Sequence, residues 1–574
     1  MAGSRKTMLS SKDNFVILFK RIYVAAFLIL CVSLVYYQII KGNYYLTRAK
    51  NNYVKVIPER SIRGKIFDRN EVVLAYDRPS FNIAVIPYQI KNKKEALFNE
   101  LAKFCSLKTK SLNRNYSRKF QNFFTPVDII ADISKPEAFR IEEKFADKVL
   151  IDPQPQRYYD YPYETAHLLG YVKDAASFYE RLKKYGYAPN ERIGISGIEQ
   201  YYDDYLRGTD GGDLIEVNSS GKIVGFLGKL NSVRGKDIYL TIDAKIQQAA
   251  YEAISGKKGA LILMDSKNGE ILALVSYPSF DPNSFVKGKD EISNFFNDKN
   301  KPMQNRAIQS TFPLGSTFKP IAAVAGLEEN KLKPSTTFIC KGKLNIGKAE
   351  FECENVHNEE NLYEALAHSC NVYFYNVGIL LGRQIMASYA EKLGLNSISG
   401  IDLPYEKKGT IPVSSIKLRS RWYLGDTLNL SIGQGYTECS PIAIMLATNV
   451  FANDGFLVKP HLIKRIDNVE IVQPRSSKIN ISSQNILIIK KALAGVVESE
   501  EGTARMLKPL NLSIAGKTGT AQTSGRPHGW FVGFFPINAP KYTICVFLEN
   551  GGSSYEALKV AYSFLEKLKE EQRL

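Results

Sequence analysis

The hydrophobic pattern changes character three times along the chain. Ile22 to Ile40 is a run of 19 residues without a charge (IYVAAFLILCVSLVYYQII), about 28 Å long as a helix and so able to cross a bilayer core. From about 42 to 240 short apolar stretches alternate irregularly with turns. FNIAVIP (81–87) reads there as extended and KEALFNELAKF (94–104) as helical. After Thr241 the pattern sharpens. GALILMDSKNGEILALVSYP (259–278) is two apolar strands around Lys267-Asn268-Gly269, a hairpin by its Asn-Gly signal. TFKPIAAVAGLEE (317–329) and NLYEALAHSCNVYFYNVGILLG (361–382) read as helical. SIAGKTGTAQ (513–522), GWFVGFFP (529–536) and KYTICVFLEN (541–550) read as strands, and SYEALKVAYSFLEKLKE (554–570) as a closing helix. Strands early and late with helices between them require the first and last strands to pair, which predicts an α+β layered domain with a helical insert.

Charge orients the first segment. Arg5, Lys6, Lys12, Lys20 and Arg21 precede the apolar run against one acid, Asp13, so the positive-inside bias keeps residues 1–21 in the cytoplasm and sends the chain after Lys41 across the membrane. Tyr36 and Tyr37 suit the far interface. The run exceeds a signal-peptide core, lacks a small-x-small cleavage site after it, and carries Cys31 at its middle rather than at a lipoprotein position. The expected organisation is therefore a cytoplasmic tail (1–21), a transmembrane helix (22–40), an elongated mixed α/β pedestal (41–240) and a catalytic domain (241–574).

Composition then narrows the partners. Of 574 residues, 44% are hydrophobic and 23% charged, ordinary globular usage that excludes a disordered chain, a collagen or a small disulfide scaffold. The net charge of +18 invites an anionic partner. No Lys/Arg stripe interleaved with aromatics defines a nucleic-acid face, and an extracytoplasmic location argues against one. A solvated basic surface, or attraction to an anionic membrane or wall polymer, remains.

The chemistry concentrates after 241. Pro313-Leu314-Gly315-Ser316-Thr317-Phe318-Lys319 places a serine at the entry of a helix, with Lys319 three residues on and on the same face. A serine hydroxyl becomes a nucleophile when a neighbouring base takes its proton, and a neutral lysine can do so. That lysine must lose its proton near neutral pH, a change costing roughly 4 kcal/mol that burial beside another cation could supply. S-x-x-K alone occurs by chance in long chains. Ser369-Cys370-Asn371 in the helical middle and Lys517-Thr518-Gly519-Thr520 on a late strand make an ordered set.

S-x-x-K, S-x-N and K-T-G in this order resemble the penicillin-binding proteins and serine β-lactamases. The resemblance runs over almost the whole chain and points to the high-molecular-mass class B branch. SIRGKIFDRN (61–70) resembles that branch's N-terminal motif, with Glu71 where glycine is usual. RIGISGIEQYYDDYLRG (192–208) and LTIDAKIQ (240–247) resemble its linker motifs, and GDTLNLSIGQGYTECSPI (425–442) and KTGTAQ (517–522) its catalytic motifs. His528-Gly529-Trp530-Phe531-Val532-Gly533 is similar to the elongation type, the penicillin-binding protein 2 group, rather than to the division type. No glycosyltransferase module precedes the motifs, which argues against a bifunctional class A enzyme.

The resemblance implies a penicillin-binding, β-lactamase-like domain with a central antiparallel sheet, helices on both faces and an all-helical insert. It implies D,D-transpeptidation of peptidoglycan stem peptides, with carboxypeptidase as a side activity and β-lactams as inhibitors. Ser316 is then the nucleophile, Lys319 its base, and Ser369 the proton relay to the leaving amine, oriented by Asn371 and Lys517. Thr518 and Thr520, with Gly519 between them, bind the substrate carboxylate, and the backbone N–H groups of Ser316 and Thr520 form the oxyanion hole. His528 and Trp530 are expected to line the donor site. A membrane glycan polymerase of the RodA type and other elongation-complex proteins are the implied partners. A β-lactam-sensing receptor would need a cytoplasmic effector domain, for which about 21 residues are too few. A scaffold without catalysis would tolerate loss of Ser316 or Lys319, and both are intact.

Cys340, Cys353, His357 and Cys370 fall within 31 residues at spacings of 13, 4 and 13. Three thiolates and one imidazole complete a tetrahedral set for structural zinc. Some elongation-type members carry a metal here on Asp, His and Cys residues, so two cysteines would replace the acids. A disulfide such as Cys340–Cys353 and plain core thiols are the alternatives. Cys105, Cys439 and Cys545 read as ordinary buried thiols. His167, His368 and His461 have no companions in the sequence and read as structural.

Overall fold

The apolar strands at 259–278 organise the larger part of the molecule. In the computed structural model, which describes the chain except residues 1–3, 92, 121–122, 124–125, 147, 176–190, 219–222, 288–291, 414–420 and 473–475, Gly259–Asp265 and Ile271–Tyr277 form the expected hairpin. Gly259–Asp265 also pairs along its whole length with Tyr542–Leu548, so the early and late strands do meet. The five-stranded sheet runs Ile271–Tyr277, Gly259–Asp265, Tyr542–Leu548, His528–Phe535, Ala515–Ala521, antiparallel throughout. Its strands lack polar alternation because both faces are covered. Leu261, Leu263, Phe531 and Val546 pack with Ile246 and Phe564 of helices Ala244–Ile254 and Ser554–Glu570. Ala260, Ile262, Trp530 and Phe547 face the opposite cluster, with Phe318, Ile442 and Met445. The period of two along each strand sorts its side chains between the two layers.

The insert departs from an all-helical one. Between the helices Lys319–Glu328 and Leu362–Ala367 the chain folds into four short strands. Phe338–Cys340 pairs with Asn358–Glu360, and Lys343–Ile346 with Ala349–Glu352. Alternating residues around the turn at Gly347 (φ +60°) make a hairpin where a helix would have exposed an apolar stripe.

Two compact units divide the described chain. One comprises 1–61 with 209–233. In it the helix Ser4–Val35, the turn Tyr36–Ile40 and the helix Gly42–Tyr53 lead into a sheet of Val54–Glu59, Gly211–Val217 and Ile223–Leu230. The apolar segment is longer than the sequence pattern predicted. It covers Asn14–Ile40, with mean hydropathy 2.3 and none of it buried by the protein, because Asn14–Phe19 continue the helix on the far side of Lys20 and Arg21.

The other unit comprises 62–208 with 234–574. The division expected at 240/241 falls inside it. The strand Ile463–Ile466 of the catalytic segment pairs with Ile238–Leu240, in a sheet that also holds Ile66–Phe67 and Val73–Val85. Below this sheet the motifs at 61–70 and 192–208 meet in a buried charge network. Arg63 Nε and Arg157 Nε each donate to Glu199 at 2.6 Å, and Arg63 Nη2 donates to Asp203 at 2.6 Å. Burial pushes the Glu199 carboxyl up, but Arg157 and Arg63 outweigh it and hold the group below its ordinary value. Asp68 accepts from the N–H groups of Asn70, Val72 and Ala244, which ties the motif to the helix that opens the catalytic segment. Glu71 has φ +65°, the left-handed conformation that accounts for the usual glycine and costs about 1–2 kcal/mol for other residues.

Candidate active site

Ser316 lies in a single 3₁₀ turn, Gly315–Phe318, that leads directly into the helix Lys319–Glu328. A 3₁₀ turn eclipses positions i and i+3, so Ser316 and Lys319 stand one above the other. The turn is pressed against the edge strand Ala515–Ala521, which carries K-T-G. Gly315 has φ +55°, and a Cβ there would meet Thr520 O at 2.6 Å. A Cβ on Gly519 would meet Thr317 Cγ2 at 2.8 Å. Only glycines let the nucleophile's turn and the K-T-G strand approach this closely.

The S-x-N segment interrupts what the sequence presents as one helix. Leu362–Ala367 stops, Ser369 adopts φ +59°, and Cys370 N-caps the helix Asn371–Lys392. This break aims Ser369 into the cleft. Lys319 Nζ donates to Ser369 O at 2.6 Å, to Ser369 Oγ at 3.2 Å and to Asn371 Oδ1 at 2.7 Å. Lys517 Nζ donates to Ser369 Oγ at 2.9 Å. All three motifs therefore converge, with two lysines on one hydroxyl. Among the described residues Lys319 Nζ engages Ser369 and Asn371 rather than the Ser316 hydroxyl, which is half-exposed.

Both lysines are buried. Burial pulls Lys319 down to about 8 against the opposing charges of Cys353, Cys370, Glu354 and Glu360. Burial, then the charge of Lys319, holds Lys517 well below its ordinary range. Keeping Lys319 depressed costs the fold about 3 kcal/mol at neutral pH. With the neutral amine acting as base, acylation by a β-lactam should rise with pH and level off above about 8, falling about tenfold per pH unit well below it. Stopped-flow acylation between pH 5 and 10 checks this; a flat profile contradicts a lysine base.

Thr520 Oγ1 accepts from Ser554 N at 3.1 Å, which leaves its own proton for a ligand. Thr518 is buried with its hydroxyl 2.8 Å from Thr503 Oγ1. His528 and Trp530 do not line the cleft. Trp530 is fully buried against Phe547 and donates its indole N–H to Pro313 O at 3.0 Å, bracing the segment that leads to Ser316. His528 is wedged against Phe312 and Phe547, and its Nδ1 accepts from Asn550 N at 2.9 Å. Successive residues of a strand alternate faces, so these two share the face that the inner layer covers.

Cys340, Cys353, His357 and Cys370 meet, with ligand atoms all within 4.8 Å of one another. His357 Nδ1 lies 3.5 Å from Cys340 Sγ and 3.6 Å from Cys353 Sγ. Tetrahedral zinc with sulfur and nitrogen ligands has edges of about 3.5–3.8 Å. All seven cysteines are free thiols, and the four side chains fit a tetrahedral metal in donor type and spacing. The Cys370 thiol and the N–H groups of Val372 and Asn371 outweigh burial and hold Cys353 well below the usual thiol range. The cluster is wired to the site, since Asn371 N donates to Cys353 Sγ at 3.1 Å and Asn371 Nδ2 to Glu352 O at 3.2 Å. Three features carry no sequence signal: the Trp530–Pro313 brace, Thr503, and a carboxylate partner for His368. That partner, Glu360, sits eight residues away at 2.6 Å, but it ends the strand Asn358–Glu360 while His368 caps the helix Leu362–Ala367, so no single period relates the two. His167 and His461 are structural, bonded to Pro302 O and Lys459 O.

A serine beside a depressed lysine, a second serine under two lysines, and an edge strand with paired threonines define a penicillin-binding acyl-transfer site. The profile of the penicillin-binding protein transpeptidase domain matches residues 259–570, and that of the penicillin-binding protein dimerisation domain matches 58–240. The chain belongs to this transpeptidase family. Within it, the chain is a class B, elongation-type peptidoglycan D,D-transpeptidase of the penicillin-binding protein 2 group. It is 31% identical to the peptidoglycan D,D-transpeptidase MrdA of Haemophilus influenzae, over 96% of this chain and 91% of that one. Penicillin-binding protein 2 of Helicobacter pylori, in its complex with MreC, superposes with a TM-score of 0.82 at 26% identity, covering 91% of this chain and all of that one. A chain of a peptidoglycan synthase complex that coordinates polymerization and crosslinking superposes at 0.71 with 29% identity, covering 96% and 98%.

Proposed function

We propose that Ser316 Oγ attacks the carbonyl between the two terminal D-alanines of a stem peptide, with Lys319 Nζ taking its proton. The C–N bond breaks, and the departing D-alanine takes a proton from Ser369, whose hydroxyl Lys319 and Lys517 replenish and Asn371 helps to orient. Thr518 and Thr520 hold the substrate carboxylate beside Gly519, and the N–H groups of Ser316 and Thr520 receive the oxyanion, each worth ~3 kcal/mol. An amine of a second stem peptide then displaces Ser316, forming one amide for the one broken. The observation that carries this reading is the hydroxyl of Ser369, 3.2 Å from Lys319 Nζ and 2.9 Å from Lys517 Nζ.

The full chain, incubated with a stem pentapeptide and an amine acceptor, should release one D-alanine per crosslinked product seen by mass. Release of D-alanine with water as the sole acceptor would reduce the activity to a carboxypeptidase.

Zinc held by Cys340, Cys353, His357 and Cys370 would supply a rigid crosslink between the 338–360 strands and the S-x-N segment, with no part in bond making. The apolar helix is read as a single-pass anchor in the cytoplasmic membrane, with the catalytic unit outside the cytoplasm. A polymerase of the RodA type and other elongation-complex proteins are the partners this reading favours. The MreC complex of the H. pylori relative supports it, as does the synthase complex.

A further inference from the structure

Ser369 is held at φ +59°, a backbone state costing a side-chain-bearing residue about 1–2 kcal/mol. Its neighbours must impose that state, and the residue before it is placed to do so. His368 Nδ1 donates to Glu360 Oε1 at 2.6 Å, and His368 Nε2 lies 3.3 Å from Glu501 Oε2. The Glu360 side chain is only 2% exposed and ends the strand Asn358–Glu360 that pairs with Phe338–Cys340. Its Oε2 is buried without a hydrogen-bond partner among the described residues, so His368 carries most of its compensation. The Glu501 carboxylate is 79% exposed and adds little. Two residues on, Thr503 N donates to Ala367 O at 3.1 Å, which pins the backbone on the other side of His368. The His368 ring also lies nearly parallel to that of His357, 5.8 Å away.

We propose that His368 is a positioning residue for the proton relay: gripped by Glu360, it locks Ser369 in its left-handed conformation and keeps Oγ between Lys319 and Lys517. It touches no reacting atom. The inference rests on the relay role of Ser369 given above.

The leaving group separates positioning from general structure. With a β-lactam, the Ser316–acyl bond forms as the C–N bond breaks, and the nitrogen must receive a proton. With a thioester donor the C–S bond breaks and sulfur leaves as a thiolate, needing none. In the full chain His368→Ala should slow acylation by penicillin about tenfold, part of the 10²–10⁴-fold that general acid catalysis supplies. Acylation by the thioester should stay within about twofold. His368→Gln, whose amide can donate to Glu360, should restore most of the loss. Glu360→Gln, which preserves shape, carries the same comparison if His368→Ala does not fold. Equal slowing of both donors, or no change in either, overturns the proposal. Ser369→Ala tells the two failures apart. If it separates the donors and His368→Ala does not, positioning is wrong and the relay stands; if it fails to separate them, the relay reading is wrong and the positioning role falls with it.

Discussion

Ser316→Ala should abolish the mass gain of one opened β-lactam that the full chain shows after exposure to penicillin, and Lys319→Ala should slow that gain by about 10³-fold or more. The two variants fail for different reasons. Without Ser316 the nucleophilic oxygen is gone, and Ser369 Oγ, held between Lys319 Nζ and Lys517 Nζ at 3.2 and 2.9 Å, is committed to those lysines rather than free to attack. Without Lys319 the hydroxyl remains, but its base is gone, and Ser369 and Asn371 lose the amine that bridges them at 2.6–3.2 Å. Neither variant should unfold. Ser316 is half-exposed, and removing a buried lysine also removes the roughly 3 kcal/mol that its depressed proton affinity costs the fold. Lys319→Ala should therefore melt no lower than the parent, while a general structural role would lower melting temperature and labelling together. Labelling that survives Ser316→Ala would remove the nucleophile from the mechanism.

The second large effect concerns the cysteine cluster. Metal analysis of the full chain should find about one zinc per molecule, and His357→Ala or Cys353→Ser should lose it, because a four-ligand site opened at one corner no longer competes with a chelator. Acylation should slow about tenfold or more before global stability falls. Cys370 separates Ser369 from Asn371, and the Asn371 N–H rests on Cys353 Sγ, so a loosened cluster moves the relay serine first. The central sheet, with its own two apolar layers, is untouched. Thiol counting in denaturant with chelator should return all seven cysteines. A metal-free protein with two thiols missing among Cys340, Cys353 and Cys370 would decide for a disulfide.

Much of this molecule is legible in its linear pattern, for local reasons. The hairpin at 259–278 and the closing helix Ser554–Glu570 follow from turn chemistry and periodicity, which act over a few residues. The apolar helix near the N-terminus follows from an uncharged run long enough for a bilayer. The three catalytic motifs follow from residue types at fixed offsets. Even the cysteine cluster was visible as a ligand inventory, although nothing in its spacing distinguishes a metal from a disulfide.

The relations between those pieces come from long-range packing. The run at 361–382 reads as continuous helix, yet the chain breaks at Ser369, because two lysines and the Glu360–His368 pair reward a left-handed serine more than the helix rewards its hydrogen bonds. Trp530 and His528 sit beside K-T-G in the sheet, but the face they occupy is chosen by strand pairing, and that face is the buried one. The strand Ile463–Ile466 joins a sheet begun some 400 residues earlier, a pairing no local preference specifies. The chemistry is written in the chain, because a nucleophile, a base and a relay are particular residue types at particular offsets. Which groups touch was decided by packing: burial sets the proton affinity of Lys319, and the pairing of the K-T-G edge strand with the rest of the sheet sets how closely Ser316, Ser369 and Lys517 converge.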